Sequence, residues 1–159
     1  ELLMCSDALY AGLDILNPAA KAMTKEAEIK SSIVLGVVEG DIHDIGKNLV
    51  KMMFDATGWT VYDLGRDVPI DKFAEEQGES NADVVGLSAM MTTSMLAMPE
   101  IIKRLRAKNR NVAILVGGAP INPMVAEKYG ADGYAKTAST AVSEAIKLVK
   151  MLKEGKLGK

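Results

Sequence analysis

The chain has 159 residues, of which 48% are hydrophobic and 25% charged, and a formal net charge of −2. That length suits a single domain with its own core, and the composition excludes a disordered chain. The balance of 19 basic and 21 acidic residues supplies no basic footprint for nucleic acid. One cysteine, Cys5, excludes an internal disulfide framework and any site built from several thiolates, and it points to a reducing, cytoplasmic compartment. The longest uncharged stretches, 84–99 and 111–126, fall short of the roughly 20 apolar residues that cross a bilayer, so no membrane span is expected. The start, Glu1-Leu2-Leu3-Met4, lacks the basic region that opens a secretory signal.

Leu2, Leu3, Leu9, Leu13 and Leu16 recur near helical spacing and predict a helix over 2–16. Asn17-Pro18 interrupts it, and 19–29 resume as helix with Pro18 in the first turn. The pattern then changes. The run 32–38 is short, apolar and β-branched, which suits a strand buried on both faces. Beyond it the elements alternate: helix 45–57, strand 60–64, helix 70–79, strand 84–87, helix 94–108 (with Pro99 as an alternative start), strand 112–116, helix 122–129, strand 133–135 and an amphipathic helix 139–154. This alternation predicts an α/β fold, a five-stranded parallel sheet with helices on both faces; right-handed crossovers leave few topologies, of which the flavodoxin-like (Rossmann-like) order 2-1-3-4-5 is the one expected here. Such a sheet has no use for residues 1–29, which look like the end of a separate helical module. Residues 30–159 form the sheet domain, with 26–31 as linker and the Lys-rich tail 153–159 as a frayed end.

Ligands of open parallel sheets bind beyond the carboxyl ends of the strands, where the strand order reverses. The segments following strands one, three, four and five are 39–47, 88–95, 117–120 and 136–139. All are rich in small residues: Gly40, Gly46, Ser88, Ala89, Gly117, Gly118, Ala119 and Ala138. Gly is common in short loops anyway; four such loops on one edge say more than one would. His43 is the chain's single histidine and sits in Gly40-Asp41-Ile42-His43-Asp44-Ile45-Gly46-Lys47. It reads either as a plain surface residue or as a ligand. Asp41 could accept from one ring nitrogen and so fix the tautomer, freeing the other nitrogen for a metal. One histidine cannot build a protein-only metal site, but it can be the axial ligand of a metal held in a macrocycle. The loop does not end in the Lys-Ser/Thr of a P-loop and lacks the third glycine of a dinucleotide fingerprint. A receiver domain would place Asp where Ser88-Ala89 stands, and Ser88 as a nucleophile has no oxyanion-hole signature beside it.

Asp41-Ile42-His43-Asp44-Ile45-Gly46 resembles the Asp-x-His-x-x-Gly signature of cobalamin-binding domains. Ser88-Ala89-Met90 stands where that family has Ser-x-Leu, and Gly117-Gly118 matches its Gly-Gly, in the same order and spacing. The stretch from Gly40 to Asn48 is especially similar to corrinoid proteins of methyltransferase systems and to the cobalamin module of methionine synthase. The resemblance spans about residues 1 to 152. It implies a corrinoid (cobalamin) cofactor bound with its own base displaced, and His43 as the lower ligand of cobalt. It further implies Asp41 and Ser94 as a relay behind His43, and a nucleotide tail running beside Ser88, Met90 and Thr92 and along Gly117, Gly118 and Ala119. Ala138 matches a position near the corrin or tail, and Tyr134 and Lys136 are further candidates. The implied function is to carry a methyl group, with methylcobalamin as the loaded form. The donor side would be a substrate-specific methyltransferase, and the acceptor side a methyltransferase using tetrahydrofolate or coenzyme M, with a reductive activator besides. A cobalamin subunit of an adenosylcobalamin-dependent mutase and a cobalamin-binding regulatory module are alternatives. The family's helical cap would end in residues 1–29, and Met90, Met91, Met95 and Met98 read as adaptable core filler.

Overall fold

The computed structural model describes residues 11–12 and 31–157. The expected cap helices 2–16 and 19–29 lie outside the described residues, apart from Ala11 and Gly12, which are helical. Five strands follow: β1 (Ser32–Val37), β2 (Thr60–Asp63), β3 (Val84–Ser88), β4 (Ala113–Gly117) and β5 (Gly133–Ala135). All pair in parallel, in the order β2-β1-β3-β4-β5. The helices among the described residues are α1 (Ile45–Ala56), α2 (Ile70–Ser80), α3 (Met98–Lys108), α4 (Pro123–Tyr129) and α5 (Ala138–Lys153). No described helix is long and apolar enough to cross a membrane.

The unbroken apolar run of β1 has a simple cause, since both faces of its strand are covered. Ile33 and Leu35 pack with Phe54, Trp59, Leu148 and Val149 on the side of α1 and α5. Val34 and Val38 pack with Phe73, Ile101 and Leu105 on the side of α2 and α3. Burying each such aliphatic or aromatic side chain contributes about 1.5–3 kcal/mol, which is what fixes strand register here.

Most boundaries shift by a single residue, and three differences change the reading. Val38 makes a single bridge to Val68 and does not continue β1. The segment after β3 opens as a 3-10 turn, Ser94–Ala97, before α3 begins with Pro99 in its first turn. That proline has no N–H to donate, which an N-terminal position does not require. The tail is not frayed as far as Leu157: Gly155, at φ +67°, reverses the chain, Lys156 N–H donates to Met151 O, and Leu157 packs on the α1/α5 core.

The loops after β3 and β4 interlock at Gly118. Its φ is +124°, and a Cβ there would lie 1.8 Å from Ala89 O. Gly118→Ala is therefore expected to cost more than about 3 kcal/mol, from backbone strain and overlap together. A urea midpoint unchanged from wild type would contradict this.

Candidate functional site

Asp41 follows β1 and is fully buried. Its carboxylate collects five donors. Oδ1 accepts from the backbone N–H of His43 at 3.0 Å and from His43 Nδ1 at 2.8 Å. Oδ2 accepts from the N–H groups of Met90 at 2.7 Å and Met91 at 3.2 Å, and from Ser94 Oγ at 2.7 Å. Burial alone would push the Asp41 carboxyl up. The hydrogen bonds from Ser94, Met90 and His43 outweigh it and hold the group well below the usual carboxylate range.

This arrangement fixes the histidine. An ionised carboxylate only accepts, so the hydrogen facing Asp41 sits on Nδ1 and the lone pair is left on Nε2. The ring is 51% exposed, so Nε2 faces outward while Nδ1 is anchored in the interior. Among the described residues no three His, Cys, Asp or Glu side chains come together as a metal site.

Beside this loop lies a cleft of about 160 Å³. Gly46 and Val50 of α1 form one wall, Ala138 and Ala141 of α5 the other, and Leu87 and Val116 belong to its strand floor. Ser88, Gly117 and Gly118 line it as well, and so does Lys136. Thr137 caps α5 at the cleft's mouth through a reciprocal pair of hydrogen bonds with Thr140. Apolar side chains are left exposed on the same edge of the sheet: Ile42, Ile45, Met90, Leu96 and Met124.

The structure thus brings Asp41, His43, Ser94 and the Met90 backbone into direct contact, with Gly46, Ser88, Gly117, Gly118 and Ala138 around the cleft. Gly40 and Asp44 belong to the same loop. Thr92 and Ala119 are exposed and do not line the cleft. Tyr134 pairs in register with Val116 and packs on the α2/α3 side of the sheet, also outside the cleft lining.

Two features were not among the site residues read from the sequence. Lys47 is buried in the cleft wall, with Nζ 2.6 and 2.7 Å from the two carboxylate oxygens of Asp63. The loop after β2 also touches the His43 loop: Gly40 N–H donates to Asp67 Oδ1 at 2.8 Å, and Asp67 N–H to Asp41 O at 2.9 Å. The strand order itself carried the signal, because β2 adjoins β1 and its C-terminal loop must reach the same edge.

A doubly wound parallel sheet whose switch-point loops hold one anchored histidine beside a small-residue cleft is an α/β domain with its ligand-binding edge at the C-terminal ends of the strands. Residues 31–143 match the B12 binding domain family model. The chain is 45% identical over 152 residues to a corrinoid protein of Desulfitobacterium hafniense, covering 94% of this chain and 70% of that protein. It superposes on the monomethylamine corrinoid protein of Methanosarcina barkeri with a TM-score of 0.79 at 33% identity, covering 94% of this chain and 70% of that one. The methanol:cobalamin methyltransferase complex MtaBC of the same organism matches with a TM-score of 0.73 at 29% identity, covering 97% of this chain and 60% of that one. The chain belongs to the B12-binding family, among its corrinoid proteins, and its cofactor is a corrinoid.

Replacing Asp41 with Asn removes one acceptor oxygen and turns an NH₂ toward N–H and O–H donors. Asp41→Asn is expected to lose about 2–3 kcal/mol of stability at neutral pH. The folded carboxyl titrates below its unfolded value, so its contribution is complete above the ordinary carboxylate range and is lost as pH falls through the folded value. The gap between wild type and variant should therefore narrow by about 1 kcal/mol near pH 3. Urea unfolding at both pH values checks this, and a gap independent of pH would contradict it.

Proposed function

We propose that this chain binds a corrinoid through His43 Nε2 and carries a methyl group on its cobalt between two methyltransferases. The observation that carries the reading is the half-exposed imidazole whose Nδ1 is tied to a buried carboxylate, leaving Nε2 as its outward donor. The residues present fit such a group. A neutral imidazole is a good ligand for a cobalt already held by a macrocycle, and one histidine suffices there. The exposed Ile42, Ile45 and Met90 offer an apolar bed for a corrin face. The narrow cleft beside Ser88, Gly117, Gly118 and Ala138 offers room for a nucleotide tail against bare backbone.

The cofactor supplies the reactive chemistry, a cobalt that accepts and gives up a methyl group. The protein's own residues set the strength of the lower ligand. Asp41 orients the ring and makes its free nitrogen more basic by accepting from the other. Ser94, 2.7 Å from Asp41 Oδ2 and 3.0 Å from Met91 O, adjusts how much of that carboxylate's charge reaches the imidazole.

The partners are a substrate-specific methyltransferase that loads the methyl group and a second that passes it to tetrahydrofolate or coenzyme M, with a reductive activator to restore the cofactor. The likeness to a corrinoid protein named for monomethylamine and to a methanol methyltransferase complex supports methyltransferase partners of this kind. Residues 1–29 are proposed as the end of a helical cap over the outer corrin face, and 30–159 as the cofactor domain. A reducing, cytoplasmic setting is proposed from the single cysteine.

His43→Ala tests the reading. The ring is one of five donors to the buried Asp41, so the variant should lose about 1–2 kcal/mol of stability and still fold on the remaining four. After mixing with methylcobalamin and removing free ligand, wild type should retain a base-off, nitrogen-ligated spectrum, and the variant should retain less cobalamin without that ligation. Equal retention with an identical spectrum would contradict the assignment.

A further inference from the structure

The loop that carries His43 is held from its flank by the β2–α2 turn, a segment that does not line the cleft. Asp67, in that turn, is a non-glycine residue at φ +51°. Side chains other than glycine, Asn and Asp seldom adopt that conformation, and it persists where surrounding contacts over-determine it. Here the contacts are reciprocal. Asp67 Oδ1 accepts from Gly40 N–H at 2.8 Å, and Asp67 N–H donates to Asp41 O at 2.9 Å. The next residue, Val68, bridges Val38 and donates to Val37 O at 3.0 Å.

The other end of the His43 loop meets the other end of the same turn. Asp63 accepts from Gly65 N–H at 2.9 Å and grips the buried Lys47 ammonium with both oxygens. Gly65 O in turn accepts from Val37 N–H at 3.0 Å. The eight residues Gly40 to Lys47 are therefore pinned at both ends by carboxylates four residues apart in one turn. Burial of Lys47 makes its pairing obligatory, because an unpaired ammonium would not tolerate that position.

We propose that the turn 63–69 is a brace whose Asp67 and Asp63 position the His43 loop, and thereby set how readily His43 engages the cobalt. The proposal rests on the reading of His43 as lower ligand. Asp67 and Lys47 act here as positioning residues: Asp67 fixes where the loop begins, and Lys47 fixes where it enters α1. A brace of this kind favours the ligated geometry by sparing the loop its ordering cost when the ligand binds.

An Asp67 series separates the hydrogen bond from the backbone conformation. Asp67→Gly keeps the left-handed backbone and loses the acceptor, Asp67→Ala loses both, and Asp67→Asn keeps both. Asp67 is exposed, so these variants should fold. In methylcobalamin-loaded protein, the ratio of His-ligated to unligated spectrum should fall about three- to tenfold in the Gly and Ala variants and stay within about twofold in Asn. Lys47→Met, which removes the ammonium without stranding a buried charge, should move the ratio in the same direction. In the cofactor-free protein, amide hydrogen exchange at His43 should quicken in the Gly and Ala variants while β3 and β4 amides stay unchanged. An unchanged His43 exchange rate in both variants would overturn the brace, whatever the cofactor does. Unchanged ligation ratios on a wild type that is itself His-ligated would overturn its link to cobalt. Wild type showing no His ligation at all would instead contradict the ligand reading, and the exchange rates would still decide the brace.

Discussion

Asp41 places a negative charge where no solvent reaches it. Burying a carboxylate without partners costs several kcal/mol, so this position is tolerable only because five donors converge on it. Those donors come from two loops, the one after β1 and the one after β3. The carboxylate's need for partners thus ties the strands at the switch point together at their C-terminal ends. The same need orients His43, since one of the five donors is its ring. Structural and functional demands here fall on one group.

Around that anchor the edge is built for close approach. Gly117-Gly118 passes so near Ala89 that a side chain at 118 would overlap its carbonyl. Gly46 at the start of α1 and Ala138 and Ala141 at the start of α5 line the cleft with little side chain to fill it. A rigid parallel sheet makes this workable, because the loops hang from strands whose register is fixed by side chains buried on both faces. The chain spans 60% of the methanol:cobalamin methyltransferase complex chain and 70% of the other two relatives, so the activity of the whole protein stands as a proposal built on this domain.

What sequence could show followed from which physical signals are local. The strands were legible because continuous β-branched runs have few other uses; alternation with helices and right-handed crossovers left a few strand orders, of which the expected one is observed. Asp41 and His43 were legible from their two-residue spacing, and Ser94 only through the family resemblance, since 53 residues separate the hydroxyl from the carboxylate it meets. Lys47 was not, because a lysine in a helix normally reads as solvated, and only the tertiary pairing with Asp63 explains its burial. Asp67 was not, because its left-handed backbone depends on hydrogen bonds from a distant loop. The 3-10 turn before α3 was hidden by an apolar pattern, Met95 to Met98, that suits either helix type. In a three-residue strand, phase decides everything, and β5 turns Tyr134 to the side opposite the cleft.

The single histidine makes one measurement decisive. Protein grown with nitrogen-15 histidine, loaded with cobalamin and reduced to the cobalt(II) state, can be read by electron paramagnetic resonance. If His43 is the lower ligand, the nitrogen superhyperfine pattern changes from triplets to doublets on labelling, because only residue 43 carries the isotope. Triplets that persist in the labelled protein would mean that the nitrogen on cobalt comes from the cofactor's own base, and Asp41, His43 and Ser94 could not then be the relay that tunes the lower ligand.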